Sequence, residues 1–355
     1  MITTPDIHTP AAPVRPITLA LEGGGALGAF AWGVLDRLLD RPELHIEIVG
    51  GTSAGAMNGA MLVQGLRTGG PEDAKRLLET FWHRTAIASG SMPGTFGDLL
   101  HMVSPMMDAV RHAGAALSPS VKLSVNPLRG ILTELIDPAV LQRPGSPELV
   151  VAATKVRTGE ARLFRGAELS IDALLASACL PQLFPAVEIG GESYWDGGYT
   201  CNPPLRHLIE TGAPSDVLIV RTTPVERPQV PTGAAAVKER VNEITFGSAL
   251  RGELRTLAIA KSTLAGLRDL PAPLARLRDA RLHMIGPEAA QFEAMHAGLM
   301  HSPDWSFLSS MHKLGQAAAD EWLLEHAADV GRTSSLDLCP YAGQAEAPAP
   351  SVLAA

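Results

Sequence analysis

Short apolar runs alternate with longer amphipathic stretches over the first part of the chain, and glycines stand between them. Residues 17–21 form an apolar run that stops just before three glycines, which is typical of a buried strand ending in a turn. The apolar positions over 27–39 follow the one-face spacing of an amphipathic helix. A second strand is predicted over 45–50, with a helix after it to about Arg67. Two strand–turn–helix units in succession predict a parallel sheet covered by helices.

Shorter elements of the same kinds are predicted along the rest of the chain. They are a helix opened by Asn126, strands over 149–156, 161–164 and 216–222, a helix capped by Ser170 and running to Leu180, a hairpin over 186–195 that turns at Gly190 and Gly191, and a helix over 204–211. From there to about residue 329 the pattern is mostly helical. We therefore predict an α/β fold with a mostly parallel central sheet and a helical C-terminal part.

Composition divides the chain into four segments. Residues 1–15 are rich in Pro and Thr and predict a flexible arm. We expect 16–223 to form the main α/β domain and 224–330 to form a mostly helical extension packed on it. Residues 331–355 are rich in Ser, Pro and Ala and predict a disordered tail. Within the main domain, 86–125 mix Gly, Ser, Pro and Met, which indicates an insertion that is either a lid over an apolar ligand or an ordinary cover over the sheet.

The net charge narrows the classes of binding partner. A formal charge of −8 argues against a nucleic-acid binder, but a local cationic face could still contact a membrane surface. The segment near 238–268 carries basic residues among apolar ones, and Glu239, Glu243 and Glu253 dilute its charge. It is either a membrane-contacting helix or, more commonly, a solvated helix face.

Cysteine content and hydropathy indicate the compartment. The three cysteines show neither a CxxC pair nor zinc spacing, so we expect a reducing compartment and no metal site. The start of the chain lacks the pattern of a signal peptide, and no apolar run is long enough to cross a membrane. These features predict a cytoplasmic protein that could touch membranes peripherally.

The sequence GTSAG places Ser53 between Gly51 and Gly55, after a predicted strand and at the start of a predicted helix. This is the nucleophile-elbow pattern, in which the turn is too tight for larger side chains beside the serine. The N-terminus of the following helix would favour negative charge near the serine. The simpler interpretation is a glycine-rich loop that binds a phosphate or nothing.

The sequence GGGALG, residues 23–28, also lies between a strand and a helix. It matches the GxGxxG fingerprint of dinucleotide-binding proteins, and Glu43 and Glu47 stand near the distance at which an acidic residue would bind the ribose. With GTSAG on the next strand, consecutive glycine N–H groups are better interpreted as an oxyanion hole.

A third motif, Asp196-Gly197-Gly198, follows two aromatic residues, Tyr194 and Trp195. It indicates a partly buried carboxylate on a tight turn, and by itself it is most simply an Asx turn that closes a hairpin. A serine nucleophile needs a base within hydrogen-bonding distance. Of the 11 histidines, His283 is the best candidate for a conventional triad, although it follows no glycine loop.

Taken in order, these three motifs resemble those of the patatin-like phospholipase family. The stretches SACLPQLFPAVEIGGESYWDGGY (177–199) and NPLRGIL (126–132) are similar to bacterial members as well, and the resemblance covers roughly 16–223. It implies a three-layer α/β/α sandwich and hydrolysis of fatty acyl esters, commonly of phospholipids or lysophospholipids, without metal or cofactor.

The resemblance also implies roles for individual residues. Ser53 would be the nucleophile and Asp196 the general base, with no histidine. The oxyanion hole would consist of Gly23, Gly24 and Gly25 with the N–H of Ala26, and the remaining motif glycines are Gly28, Gly51, Gly55, Gly197 and Gly198.

Two residues depart from the family pattern. Glu22 stands where Asp is common, and Leu27 stands where Arg or Lys is common. Backbone donors survive both changes, but the missing cation weakens the case for a phospholipid substrate. The alternatives are a carboxylesterase or polyhydroxyalkanoate-type depolymerase and, in another class, an NAD-binding oxidoreductase. The expected partners are a lipid or acyl-ester substrate and a membrane surface, not nucleic acid.

Overall fold

The computed structural model describes residues 14–91, 126–212, 214–298 and 304–342 of the 355-residue chain. The predicted arm before residue 14, the predicted lid segment beyond residue 91 and the end of the predicted tail lie outside the described residues.

Eight strands form one central sheet. They are β1 (Arg15–Leu21), β2 (Leu44–Thr52), β3 (Glu148–Lys155), β4 (Ala161–Arg165), β5 (Val187–Ile189), β6 (Glu192–Asp196), β7 (Asp216–Val220) and β8 (Arg281–Ile285). The order is β5-β6-β3-β2-β1-β7-β8, and β4 also pairs with β3. The pairs from β3 through β2, β1 and β7 to β8 are parallel, whereas β4 and β6 run antiparallel to β3.

Eleven α-helices are described in this part of the chain. They are α1 (Ala29–Leu39), α2 (Ala54–Thr68), α3 (Pro71–Ser91), α4 (Pro127–Leu135), α5 (Pro138–Leu141), α6 (Ile171–Ser177), α7 (Leu205–Glu210), α8 (Ala234–Leu264), α9 (Ala272–Asp279), α10 (Ala289–Gly298) and α11 (Trp305–His326). In the described ranges, no helix is both long enough and apolar enough to cross a membrane.

The helices cover both faces of the sheet. On one face, Leu19 and Leu21 of β1 belong to a large apolar cluster with residues of α1, α2, α3 and α11. On the other face, Ala20 of the same strand packs in a second cluster with residues of α7 and α8. Since side chains alternate along a strand, β1 contributes to both layers and is buried over its last five residues. The predicted α/β/α sandwich with a mostly parallel sheet is confirmed.

Helix α6 ends earlier than predicted. Ser170 caps it as expected, with Oγ accepting from the N–H of Ala173 at 3.1 Å. The helix stops at Ser177 instead of continuing to Leu180. The carbonyl of Cys179 accepts the N–H of Asp196 at 2.8 Å, so the chain turns here to meet β6.

The C-terminal part contributes to the sheet as well as to the helical layers. Strand β8 lies inside the segment 224–330 that the pattern described as mostly helical, and it pairs with β7 along its whole length. The segment is therefore continuous with the main sheet.

The first residues of the segment predicted as a disordered tail, 331–342, lie against β8. The N–H of Leu336 donates to the carbonyl of Leu282 at 2.9 Å, and Ser334 Oγ accepts the N–H of Leu282 at 3.1 Å. Leu336 also packs with the second apolar cluster. The Ser-rich composition of 331–342 suggests disorder. Apolar burial and backbone hydrogen bonds with β8 offset the conformational entropy that is lost when these residues are ordered.

Candidate active site

Ser53 lies at a strained turn between β2 and α2. Its backbone has φ 53° and ψ −123°, and it is the one non-glycine residue with positive φ among those that the structure describes. A Cβ on Gly55 would lie 2.2 Å from the carbonyl oxygen of Leu21, and one on Gly51 would lie 2.5 Å from the carbonyl of Gly55. The flanking glycines therefore allow the turn at Ser53 to pack closely against the end of β1. This packing holds the strained backbone of Ser53 in place.

Asp196 ends β6 and lies beside this serine. Its side chain accepts the N–H of Gly198 at 2.8 Å, and the hydroxyl of Ser53 is near enough to lower its pKa. The residue is 2% exposed. Burial raises the pKa of Asp196 to about 7, and the N–H of Gly198 and the hydroxyl of Ser53 oppose this rise only in part.

The loop after β6 reaches the serine by crossing the end of β3. A Cβ on Gly197 would lie 2.3 Å from the carbonyl oxygen of Ala152, so only glycine allows this approach. The hydroxyl of Thr154 donates to the backbone carbonyl of Asp196 at 2.8 Å. Gly198 is equally close to the ring of Phe246 on α8, at 2.3 Å for a Cβ. These contacts fix the carboxylate from both sides.

The glycine-rich segment forms a short 3-10 helix over Gly25–Gly28 that leads into α1. Gly24 and Gly25 are exposed, and Gly25 has φ 58°, a conformation that L side chains rarely adopt. The N–H groups at the start of a helix have no acceptor within it, so those of Gly24, Gly25 and Ala26 are suited to bind an anion. Gly28 packs against the elbow helix, 2.6 Å from Ala54 for a Cβ.

The N–H of Gly23 differs from the other predicted oxyanion donors. It donates to Oδ1 of Asn202 at 2.6 Å, in a buried contact. Nδ2 of Asn202 donates to the carbonyls of Gly23 and Phe246, both at 3.4 Å. Because the N–H of Gly23 donates to Asn202, we keep only the N–H groups of Gly24, Gly25 and Ala26 as candidate oxyanion donors.

Asn202 was missed at the level of sequence, although a signal exists. The signal is its position: Asn202 comes four residues after the Asp-Gly-Gly motif and directly before two prolines. Its contact with Gly23 joins residues that are 179 positions apart. No local periodicity reports such a pairing.

Glu22 is a second polar anchor of the glycine segment. Its carboxylate accepts the N–H of Thr222 at 2.7 Å, and the hydroxyl of Thr222 lies 3.1 Å from the carbonyl of Gly23. Desolvation raises the pKa of Glu22 despite the nearby Arg221. The residue that departs from the family pattern therefore fastens the glycine segment to the end of β7.

Ser177 is a further residue that the sequence did not reveal. Its Oγ accepts the backbone N–H of Ser53 at 2.9 Å, and the side chain is fully buried. The serine nucleophile candidate thus has its own N–H turned away from solvent. Ser177 occupies the end of an apolar helix, where a serine is unremarkable in sequence.

His283 does not belong to this site. It is buried in β8, with Nε2 3.2 Å from Oδ1 of Asp216 and Nδ1 2.9 Å from Oγ of Ser335. Both ring nitrogens are therefore occupied, and β8 is at the edge of the sheet, with β1 and β7 between it and β2. A triad through His283 is excluded.

Within the described ranges, no group of three or more His, Cys, Asp or Glu side chains is arranged to hold a metal ion.

A family model described as patatin-like phospholipase matches residues 19–209. Among solved structures, VipD from Legionella pneumophila is 17% identical, with 89% of this chain and 68% of VipD covered and a TM-score of 0.41. The ExoU–SpcU complex from the type III secretion system of Pseudomonas aeruginosa is 20% identical, with 89% and 60% covered and a TM-score of 0.30. A comparison with curated proteins gave no match. Since the family model covers more than half of the chain and includes all three motifs, the chain belongs to the patatin-like phospholipase family and is a lipid acyl hydrolase.

Proposed function

We propose that this lipid acyl hydrolase works through Ser53 as nucleophile and Asp196 as general base, on fatty acyl esters of phospholipids or lysophospholipids. The observation that carries the proposal is a buried carboxylate, Asp196, whose pKa is about 7 and on which the hydroxyl of Ser53 acts directly. A general base is most effective when its pKa lies near the working pH. Family membership also disfavours the NAD-binding alternative.

In the first half-reaction, Ser53 Oγ attacks the ester carbonyl carbon while its proton passes to Asp196. The N–H groups of Gly24, Gly25 and Ala26 stabilise the oxyanion of the tetrahedral intermediate. Loss of one such donor typically costs about 3 kcal/mol of barrier. The intermediate collapses, the proton is returned to the leaving alcohol, and an acyl-serine remains.

In the second half-reaction, water replaces the alcohol. Asp196 removes a proton from the water as it attacks the acyl-serine, and the fatty acid leaves as Ser53 recovers its proton. The same carboxylate therefore acts as base and then as acid in each half. No cofactor is required for either step.

One observation favours a second candidate substrate class. Leu27, which is half-buried beside the glycine segment, stands where the family often carries a cation. A neutral ester, as taken by a carboxylesterase or a polyhydroxyalkanoate-type depolymerase, needs no such cation. Rates on a series of synthetic esters and on lysophospholipids would separate the two classes.

We propose a cytoplasmic location with peripheral membrane contact. None of the described cysteines, Cys179, Cys201 and Cys339, forms a disulfide bond, which suits a reducing compartment. Segment 86–125 stays our candidate for a lid.

Labelling with a fluorophosphonate probe is expected to modify wild-type protein and to fail in Ser53→Ala. The probe reacts with an activated serine, and the carboxylate of Asp196 supplies the activation. Ser306→Ala, which removes an exposed serine on α11, is the matched control and should label as wild type. Equal labelling of folded Ser53→Ala and wild type would show that another serine is the nucleophile.

Asn202→Ala is expected to lower kcat about 100-fold on a soluble ester while changing KM little. The variant releases the N–H of Gly23 and lets the oxyanion loop move, and small misplacements of catalytic groups cost about this much. Asn242→Ala, at an exposed position of α8, is the control. A rise in KM with unchanged kcat would assign Asn202 to substrate binding instead of loop positioning.

A further inference from the structure

Helix α8 buries one side and exposes the opposite side. Leu250, Leu254 and Leu257 are each at most 1% exposed and fix the side that packs on the sheet. At 100° per residue, the opposite side carries four β-branched residues. These are Val237, Val241, Ile244 and Ile259, which are 44–54% exposed. An apolar stripe at this spacing on the outer side of a helix is the reverse of an ordinary solvated face.

The charges of α8 are sorted between its two sides. Lys238 and Arg255 are exposed on the outer side with the apolar stripe. Arg251 lies at the border of this side and donates to the carbonyl of Val225 at 3.1 Å. The outer side therefore combines apolar and cationic groups.

All three carboxylates of α8 lie on the inner side. Glu243 is bound by Arg227 and Arg240 and has a side chain only 7% exposed. Glu253 accepts the backbone N–H of Arg206 at 3.0 Å, and Glu239 is half-buried. The dilution of positive charge that the sequence suggested does not occur on the outer side, because helical phase turns the acidic groups away from it.

The same helix touches the proposed catalytic loop. Phe246, two residues after Ile244, has its ring 5.1 Å from that of Tyr199, and its carbonyl accepts from Asn202. The outer side is thus about one helix diameter, roughly 10 Å, from the loop that holds Asp196.

We propose that the outer side of α8 is a docking surface for an anionic membrane. The stripe of Val and Ile side chains enters the interface between head groups and acyl chains, while Lys238, Arg251 and Arg255 meet anionic lipid head groups. The outer side of α8 and an anionic membrane have complementary charges. The protein as a whole has a net charge of −8, but this side carries cations. The proposal rests on the proposed function in one respect, that the docked membrane supplies the acyl ester.

Flotation with vesicles tests the proposal. Full-length wild type should float with phosphatidylcholine vesicles containing phosphatidylglycerol, and less with phosphatidylcholine alone. Val241→Asp/Ile244→Asp should lower the partition coefficient at least about tenfold, since two apolar anchors become charged. Arg255→Gln should lower it about fivefold, the equivalent of one cation at an anionic surface.

Matched variants control for composition. Leu324→Asp/Val14→Asp changes two exposed aliphatic residues outside α8, at 88% and 64% exposure, and Arg332→Gln removes an exposed cation elsewhere. Both should bind vesicles as wild type does. All variants should hydrolyse p-nitrophenyl butyrate, a soluble ester, at the wild-type rate.

The outcomes separate the docking proposal from the catalytic one. No binding of wild type to anionic vesicles, or equal losses in the α8 and control variants, would overturn the docking surface. A dimer in sedimentation that Val241→Asp/Ile244→Asp dissociates, with vesicle binding unchanged, would make the face an interface between copies. Selective loss of flotation in the α8 variants supports docking even if wild type hydrolyses no ester, a result that would refute only the proposed function.

Discussion

Asp196→Asn is expected to lower ester hydrolysis about 1,000-fold and, at the same time, to make the protein more stable near neutral pH. Asparagine keeps the shape of the side chain and can still accept the N–H of Gly198. It cannot accept the proton of Ser53, and general-base catalysis contributes about 100- to 10,000-fold. The measurement is kcat/KM on a soluble ester for the variant and for wild type.

The gain in stability follows from the pKa of the buried carboxyl. Its value rises from 3.8 to about 7 in the folded protein. Below pH 4 the group is protonated in both states and costs nothing. Between pH 4 and 7 the unfolded chain ionises first, so wild-type stability falls as pH rises, and above 7 the loss stays constant at about 4 kcal/mol. Asparagine avoids this loss.

Two readouts together identify the role of Asp196. Wild-type kcat/KM should rise with pH through about 7, because the base must be ionised. Urea unfolding should show the variant more stable at pH 8 and nearly equal to wild type at pH 4. Near-normal turnover in Asp196→Asn would disprove the dyad, and a variant of equal or lower stability at pH 8 would show that the carboxyl is not desolvated in the native state.

Gly55→Ala should destabilise the protein by about 3 kcal/mol or more. The added Cβ would meet the carbonyl oxygens of Leu21 and Glu22 at 2.2 and 2.8 Å, and backbone atoms cannot swing aside as side chains do. Relief requires α2 to move away from β1, which also displaces Ser53. Overpacking typically costs 1–3 kcal/mol, and this contact is more severe than most. Chemical unfolding of wild type and variant measures the difference.

Gly252→Ala is the matched control, since it is also a helical glycine but has open space around its Cβ position. It should stabilise the protein by up to about 1 kcal/mol, because alanine is the better helix former. A Gly55→Ala variant as stable as wild type would show that the elbow can relax, and the close packing of α2 on β1 would then not be required for Ser53.

The sequence was most informative where a function depends on consecutive residues. The strand before Ser53, the helix after it and the tight turn after Asp196 each leave a local pattern, and the structure has all three. The hairpin turn at Gly190 and Gly191 was predicted in the same way from two adjacent glycines. In the structure both residues have positive φ.

Contacts between distant segments left no such pattern. The N–H of Gly23 meets Asn202 and the N–H of Ser53 meets Ser177, pairs that are 179 and 124 residues apart. The contact of Gly23 with Asn202 could not be predicted, because a glycine N–H in sequence gives no sign of its acceptor. Residues 331–342 are a similar case, since the strand they contact, β8, lies in a segment whose sequence pattern is mostly helical.

Helix α1 packs closely against α11, so α1 cannot reach its native packing until the ribosome has synthesised α11. A Cβ on Gly33 would lie 1.9 Å from the carbonyl oxygen of His312, and His312 Nε2 is 2.6 Å from Asp36, which precedes it by 276 residues. At 5–20 residues per second, a ribosome takes roughly 15–55 s to make that intervening stretch. During this time the outer side of α1, including Trp32, has no native cover from α11. The nascent chain therefore exposes to chaperones an apolar surface that α11 covers in the finished enzyme. A truncated chain that ends at residue 209, where the family match ends, would leave this surface uncovered.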